Sequence, residues 1–575
     1  MTAVASSSPF VAIEALESRV FLDATVIGAP LVVNVSRLPG PQSEDAIAVN
    51  PTNSSQVVLE ANDPAVPKGM LVATSSDGGR TWARRVFGDG GDGLPPAFSD
   101  PTLSWDQYGN LFMGYVRADN GHTEVLLSVD AGAGFRALTD LPGSVDQPTI
   151  VTGHATVWVA FQQQQQAGAR SSLARAGAVA YGAQVESLGR VGPFKRAEAI
   201  TPISSNVGDI AVGPAGQVTV AYQHASDTGP STIYTRTDPD GLGPRPFGAI
   251  NSQISTNVGL SYPIPGQSIR TIDSEVGLAY DVSGDPYTGR LYMVYTDAPA
   301  PGSAAIGIYF RWSDDDGRNW SAPIKVNDDN TSNSHWFPKM AVDPATGAIG
   351  IAWYDSRNDT GVPGAGGTNG VPNDDVQVYG VVGTPTADGV KFCPNFVIQP
   401  AFSNANDIRT VSGAADPNQF GDYNGMAFYN GRMYPAWADN SDSTADNPDG
   451  ALAQPDTYAA IVSVQVTPTP ARTLIGEFGD VGGSLTFTAP NGARVTLRLH
   501  RGRGFAYLNG RNIDLRLVGT DDRSALRLTT HGGVGRLTLA NVSIAGSLGL
   551  FAAPTAGLAG TWSSPAPPRH VVLAK

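Results

Sequence analysis

Cysteine is almost absent from this sequence. A single one, Cys393, among 575 residues excludes an intramolecular disulfide and a cysteine-based metal site. Nothing near it supplies a base, so it reads as a small buried hydrophobe. Charged residues are also scarce, at 15%, and their balance is acidic, with a net charge of −15. A negative surface repels phosphate backbones, which argues against a nucleic-acid partner. No apolar run of about 18 residues occurs, so no membrane-spanning helix is expected. Several catalytic signatures are missing as well, namely the Gly-x-Ser-x-Gly elbow, the His-Glu-x-x-His helix and the P-loop. Gly88-x-Gly90-x-x-Gly93 has dinucleotide-fingerprint spacing, but Leu94-Pro95-Pro96 follows where a helix should begin.

Glycine (67) and proline (43) are abundant, and 41% of residues are hydrophobic. That mixture suits many short strands joined by turns around a large core. The length predicts two or three units. A unit of two apolar segments, joined by a Gly or Asn turn and mostly ending in an aromatic, recurs seven times. The copies begin near Asp45, Asp100, Gln147, Asp209, Glu275, Pro338 and Asp422. Apolar and polar residues alternate with strand period. Each copy reads as the inner hairpin of a four-stranded propeller blade. Seven blades are expected, or six if the weakly patterned third or fourth copy is not a blade.

Ser75-Ser76-Asp77-Gly78-Gly79-Arg80-Thr81-Trp82 and Ser313-Asp314-Asp315-Asp316-Gly317-Arg318-Asn319-Trp320 share the pattern Ser-x-Asp-x-Gly-x-x-Trp. Ser128, Asp130, Gly132 and Phe135 form a third copy with Phe for Trp. In a tight hairpin, Asp accepts turn N–H groups, Gly takes positive φ and Trp packs between layers. The pattern resembles the Asp-box, or BNR repeat, of the sialidase superfamily. The resemblance covers residues 30–466 and implies an all-β propeller, glycan chemistry, and a structural role for the box aspartates. Ala29-Pro30-Leu31-Val32-Val33-Asn34-Val35 is similar to the outer strand at Ala322–Asn327. Residues 30–36 are therefore expected to complete the last blade and hide its edge.

Ahead of the propeller, assigned to 29–466, residues 1–28 are expected to be an export-type leader. Ala15-Leu16-Glu17-Ser18-Arg19-Val20-Phe21-Leu22 resembles the Leu-Glu-Pro-Arg-type tag of bacterial surface and secreted proteins, with Ser18 for proline. This implies a secreted or cell-surface protein. Thr467-Pro468-Thr469-Pro470-Ala471 reads as a stiff linker. A small Gly-, Thr- and Arg-rich β-domain, a sandwich or short solenoid, fills the rest of 467–575. Attachment to a cell wall or matrix is one role for it, and a spacer another. The glutamine run at 162–166 is expected to be a loop.

The loops leading into inner strands and those leaving second strands share one propeller face. Aligned on their terminal aromatics, the second strands place Asp63, Arg117, Gln163, His224, Asp297, Asp355 and Asp439 there. The inner strands add Glu44, Asp45, Asp100, Asp146, Asp209, Glu275 and Asp422. Crowded carboxyls raise one another's pKa and can divide into acid and base for glycoside hydrolysis. The same oxygens can bind calcium. The site candidates are Asp355, Arg357, Asp297, Asp439, Glu275 and Arg117, with Arg357 and Arg117 able to fork a carboxylate. Trp353 and Trp437 either stack on a sugar or pack between blades. Sialidase chemistry implies three arginines on the substrate carboxylate, a Tyr activated by a Glu, and an Asp acid. Glu275 with Tyr280 or Tyr295 is the candidate nucleophile pair. Here the sequence departs from the family, because only two arginines fall on the mouth and Ser441 stands where Arg357 stands one blade earlier. A glycan or glycoconjugate is the expected partner. The alternative is a non-catalytic adhesion or structural protein on the same scaffold.

Overall fold

The computed structural model describes residues 24–574 except 64–68, 120, 165–176, 202–204, 225, 365, 387–388, 407–417, 467–471, 481, 560–561 and 565–566. The leader motif at 15–22 and the linker at 467–471 lie outside the described residues. Every regular element among the described residues is a β-strand. Among the described residues no helix is long and apolar enough to cross a membrane.

Seven antiparallel sheets of four or five strands follow one another along the chain and form a seven-bladed propeller. The first blade runs Ser43–Val49, Val57–Asn62, Met70–Ser75, Ala83–Phe87. The next five open on Ala97–Trp105, Ser144–Gly153, Ser205–Val212, Gly277–Tyr280 and His335–Val342. The seventh opens on Gly425–Tyr429. Each opening strand packs against that of the next blade, and the seventh against the first. These seven strands therefore surround the axis. Second strands such as Val57–Asn62 and Ile349–Asp355 are buried along their whole length, because neighbouring blades cover both their faces. The third and fourth copies are true blades, so six is excluded. Gln162–Gln164 belong to the strand Thr156–Gln164, so the glutamine run begins in a strand and not in the expected loop.

The N-terminal segment closes the ring. Leu31–Asn34 pairs with Ile461–Tyr458 of the seventh blade, as the similarity to Ala322–Asn327 suggested. Closure also reaches into the segment assigned to the leader, since Ala24–Val26 pairs with Val466–Val464. Side chains reinforce the seam. Asn34 and Ser36 donate to the Asp456 carboxylate at 2.6 and 2.9 Å.

The three Ser-x-Asp turns are superposable in their bonding. Ser75, Ser128 and Ser313 each donate to the aspartate two residues on at 2.8 Å. Each also accepts the N–H of Gly79, Gly132 or Gly317 at 2.9 Å. Trp82 packs among Leu59 of the first blade and Tyr434 and Ile461 of the seventh. These groups hold the scaffold together.

Strands from Arg472 onward form two further sheets around Leu497, Leu515, Leu528, Leu539 and Phe551. They begin antiparallel and end parallel, as in Leu526↔Phe551 and Leu517↔Ile544. One end is thus a sandwich and the other resembles a solenoid. Part of the arginine excess here has a structural use. Arg503 donates to Asp316 Oδ1 at 2.6 Å, and Arg516 reaches Asp314 and the Thr288 carbonyl. Asp314 and Asp316 flank Asp315 in the fifth-blade turn, so the variable positions of that motif dock the C-terminal sheets. Burial pushes the Asp316 carboxyl up, but the charge and hydrogen bond of Arg503 hold it below its ordinary value. Removing one partner of a buried pair strands the other's charge. Arg503→Ala is expected to cost about 3–5 kcal/mol in chemical denaturation, with part regained in the Arg503→Ala/Asp316→Ala double variant. A wild-type midpoint in the single variant would refute this role.

Candidate functional site

The site begins with a repeated backbone irregularity. Five opening strands shift register where they enter the sheet, between Ser43/Ala46, Ser99/Thr102, Asp146/Thr149, Val207/Asp209 and Trp336/Lys339. A β-bulge re-aims the side chains at the kink. Left-handed φ values recur here at Glu44 (59°), Asp100 (58°), Gln147 (45°), Glu275 (38°) and Phe337 (50°). Such φ is uncommon outside glycine, and surrounding structure must hold it. In the seventh blade Gly421 takes this role at 80°. A Cβ on it would lie 2.6 Å from Glu44 Cγ, so only glycine fits.

The re-aimed residues line two stacked cavities. The lower one, about 180 Å³, lies in the channel and is bordered by Asp45, Gln147, Asp209, Glu275, Lys339 and Tyr423. The upper one, about 230 Å³, is the mouth, bordered by Asp146, Gln147, Asn206, Arg270, Asp273 and Asp422. Tyr262–Ile264 and Gln267–Ile272 form a hairpin between the fourth and fifth blades. It reaches across the mouth to the seventh. Gln419 Oε1 accepts the N–H groups of Ile269 and Arg270 at 2.8 and 2.9 Å. Gln267 donates to the Gly421 carbonyl at 2.7 Å. The hairpin hangs Arg270 over the acids. Its Nε donates to Asp422 Oδ1 at 2.7 Å, its Nη2 bonds Asp422 Oδ2, and Glu44 lies 3.5 Å away.

Carboxyls outnumber cations. Burial, then its neighbours Asp422 and Asp100, drives the Glu44 carboxyl well above its ordinary value. Burial and Asp146 push Asp100 up to about 7. Burial lifts Asp45 to about 7 and Asp273 to about 6. Glu275 rises to about 8, because burial outweighs the Lys339 ammonium 3.2 Å away. Burial favours neutral Lys339, but Glu275 and Asp209 keep it a cation. Asp422 raises the Arg270 pKa, chiefly through its hydrogen bonds.

Of the six site candidates, only Glu275 lines this channel. The others lie one strand further out, about 4.8 Å from the inner strand, and have local partners. Asp355 and Asp439 accept the indole N–H of Trp353 and Trp437 at 2.8 and 2.9 Å. Those tryptophans are 0% and 1% exposed, so they pack between blades and do not stack on a sugar. Arg357 bonds Asp355 and Asp328 and lies 4.2 Å over the Tyr379 ring. Asp297 accepts the N–H groups of Asn257 and Ala298 at 2.8 Å. Arg117 sits among Asp119, Glu124 and Asp140 on the second blade. The expected Glu275–Tyr pair does not form. The Tyr280 hydroxyl meets Thr219 and Asp316, and that of Tyr295 accepts from Arg311. Tyr423 instead lines the channel beside Glu275, with Lys339 Nζ 5.6 Å over its ring. Arg270, Asp273 and Lys339 escaped the sequence reading. Arg270 and Asp273 stand outside the repeat, and only their place just before the fifth copy marks them.

No family model and no curated protein matches this chain. Among solved structures, it is similar to the GH93 α-L-arabinofuranosidase of Fusarium graminearum in complex with arabinobiose. Identity is 10% over 76% of this chain and 98% of that one, with a TM-score of 0.39. A phage phi92 endosialidase gives 11% identity over 79% and 73%, with a TM-score of 0.39. The Aleuria aurantia lectin, a six-bladed fucose-recognising propeller, gives 13% over 63% and 98%, with a TM-score of 0.34. Identities this low say nothing about which residues act.

The raised carboxyls have a consequence for stability. The folded mouth keeps protons that the unfolded chain releases near 3.8 and 4.5. Their contribution is fully present below those values and is lost as pH rises through about 6 to 8. The thermal midpoint is therefore expected to fall between pH 4.5 and about 8, and Glu275→Gln should flatten the slope. A wild-type midpoint that climbs across this range would show that these acids are not held protonated.

Proposed function

We propose that this chain binds a neutral glycan at the channel mouth and hydrolyses it by paired-carboxyl chemistry. One observation carries this reading. In the channel beneath the mouth stands an acid driven up to about 8, Glu275, which feels the charge of Asp422, and at the mouth Asp422 is paired through both oxygens with Arg270. Glycoside hydrolysis needs that division. A protonated carboxyl donates to the leaving oxygen, and a carboxylate stabilises the cationic sugar or activates water. Glu275 is the donor in this reading and Asp422 the anion. Arg270 at the mouth and Lys339 in the channel already face carboxyls, so an acidic sugar is disfavoured. The Asp-box resemblance supports a sialidase-like scaffold with an altered specificity. The motif at 15–22 supports export to the surface or medium, and the C-terminal sheets suit attachment there.

The hairpin bridging the mouth favours a second reading, a non-catalytic glycan-binding or adhesion propeller. A panel of neutral glycosides and sialosides, assayed for both turnover and binding, separates the two. Turnover of a neutral glycoside is expected, with kcat/KM lowered at least about 100-fold in Glu275→Gln and in Asp422→Asn. Binding without turnover selects the second reading. Neither binding nor turnover on any glycan sinks both, and a preference for sialosides refutes the neutral substrate.

A further inference from the structure

The loop joining Ile349–Asp355 to Asp375–Thr386 in the sixth blade carries three aspartates that the mouth does not use. Asp359, Asp374 and Asp375 each offer a carboxylate oxygen, and these oxygens all lie within 4.8 Å of one another. The residues are 5%, 2% and 0% exposed. The arginine of this loop, Arg357, is engaged with Asp328, Asp329 and Asp355. Among the described residues no salt bridge reaches the three aspartates. Hydrogen bonds alone offset their charge, and buried charge without a counter-ion is costly.

Two further observations point to a ligand. Asp374 Oδ1 is buried and receives no hydrogen bond. The second concerns Gly367. Asp375 Oδ2, Asp359 Oδ1 and the Asn369 carbonyl oxygen lie 2.9, 3.1 and 3.6 Å from the point where a Cβ on Gly367 would sit. Oxygens from three residues thus crowd the open side of Gly367, where any side chain would push them apart.

We propose that this loop is a calcium site formed by Asp359, Asp374, Asp375 and the Asn369 carbonyl. Calcium takes oxygen ligands at about 2.3–2.6 Å, so two ligands of one ion lie at most about 5 Å apart. The observed spread meets that limit. An all-oxygen donor set disfavours zinc and copper, and carboxylates packed with a carbonyl suit calcium better than well-hydrated magnesium. Asp359 already accepts the N–H groups of Gly361, Asp374 and Asp375, and Asp375 accepts from Thr368 N–H, the Thr368 hydroxyl and the Asn404 amide, but carboxylate oxygens keep further lone pairs. The site is braced to the mouth through one residue. Asn406 donates to Asp374 Oδ2 at 3.3 Å and to the Pro265 carbonyl at 2.8 Å, on the hairpin that carries Arg270. The proposal does not depend on the glycan reading.

The test titrates calcium chloride into chelator-stripped, dialysed full-length protein by calorimetry, with melting curves in parallel. Asp374→Asn removes a ligand. Gly367→Ala keeps the charge and places a methyl group in the cradle, and Gly367 does not have left-handed φ. Glu275→Gln reports on binding at the mouth. The expected result is one calcium per chain, bound at least tenfold more weakly in both loop variants and as in wild type in Glu275→Gln. Calcium should also raise the wild-type melting temperature but not that of the loop variants. No calcium heat and no melting shift in wild type would overturn the proposal. So would wild-type affinity in both loop variants.

Discussion

Closure of the ring is the constraint on which everything else in this molecule depends. A sheet with an open edge leaves a row of backbone N–H and C=O groups unpaired. Six blades complete themselves with consecutive strands. The seventh has no outer strand of its own and takes Leu31–Asn34 from the other end of the chain. Thr457 then ties the seam to the first blade by donating to Asp45 at 2.7 Å. Closure also brings the seventh inner strand against the first, which places Gly421 against Glu44. Without the seam, the mouth would lack one side.

The mouth is made by a conflict between backbone and burial. The bulges turn acidic side chains inward at left-handed φ, and the blades then bury them. Isolated buried carboxylates are unstable, so burial raises the pKa of most of these groups, and two cations offset part of their charge. Arg270 comes from an insertion and Lys339 from the sixth inner strand. The channel is therefore a set of coupled acids whose protonation depends on pH. Such a set can divide into donor and anion, which is the basis of the glycan reading.

The Ser-x-Asp turns show how one motif serves two ends. Asp77, Asp130 and Asp315 occupy the same place and accept from the serine two residues before. The residues between the fixed positions are free to differ. In the fifth blade they are Asp314 and Asp316, which hold Arg516 and Arg503. The C-terminal sheets are thus fastened to the propeller by positions that the motif does not define.

The all-β class, the blade count, the closing strand and the scaffold role of the turn aspartates were legible in the sequence. Each rests on a local periodicity or a short motif, and strand period and turn chemistry are local properties. Glu44, Asp100, Asp146 and Asp422 were also legible as mouth residues, because they lead directly into repeated strands. Asp355, Asp297 and Asp439 were misplaced because polar strand ends look alike in one dimension. Whether such an end faces the axis or caps its own blade depends on its distance from the axis, and only the folded ring sets that distance. Arg270 depends on an irregular hairpin reaching across to another blade, and the proposed calcium loop on three aspartates folding back around a glycine. Sequence alone determined the elements and their order. Tertiary structure decided which charges meet, because burial and proximity belong to the assembled ring and to no single segment.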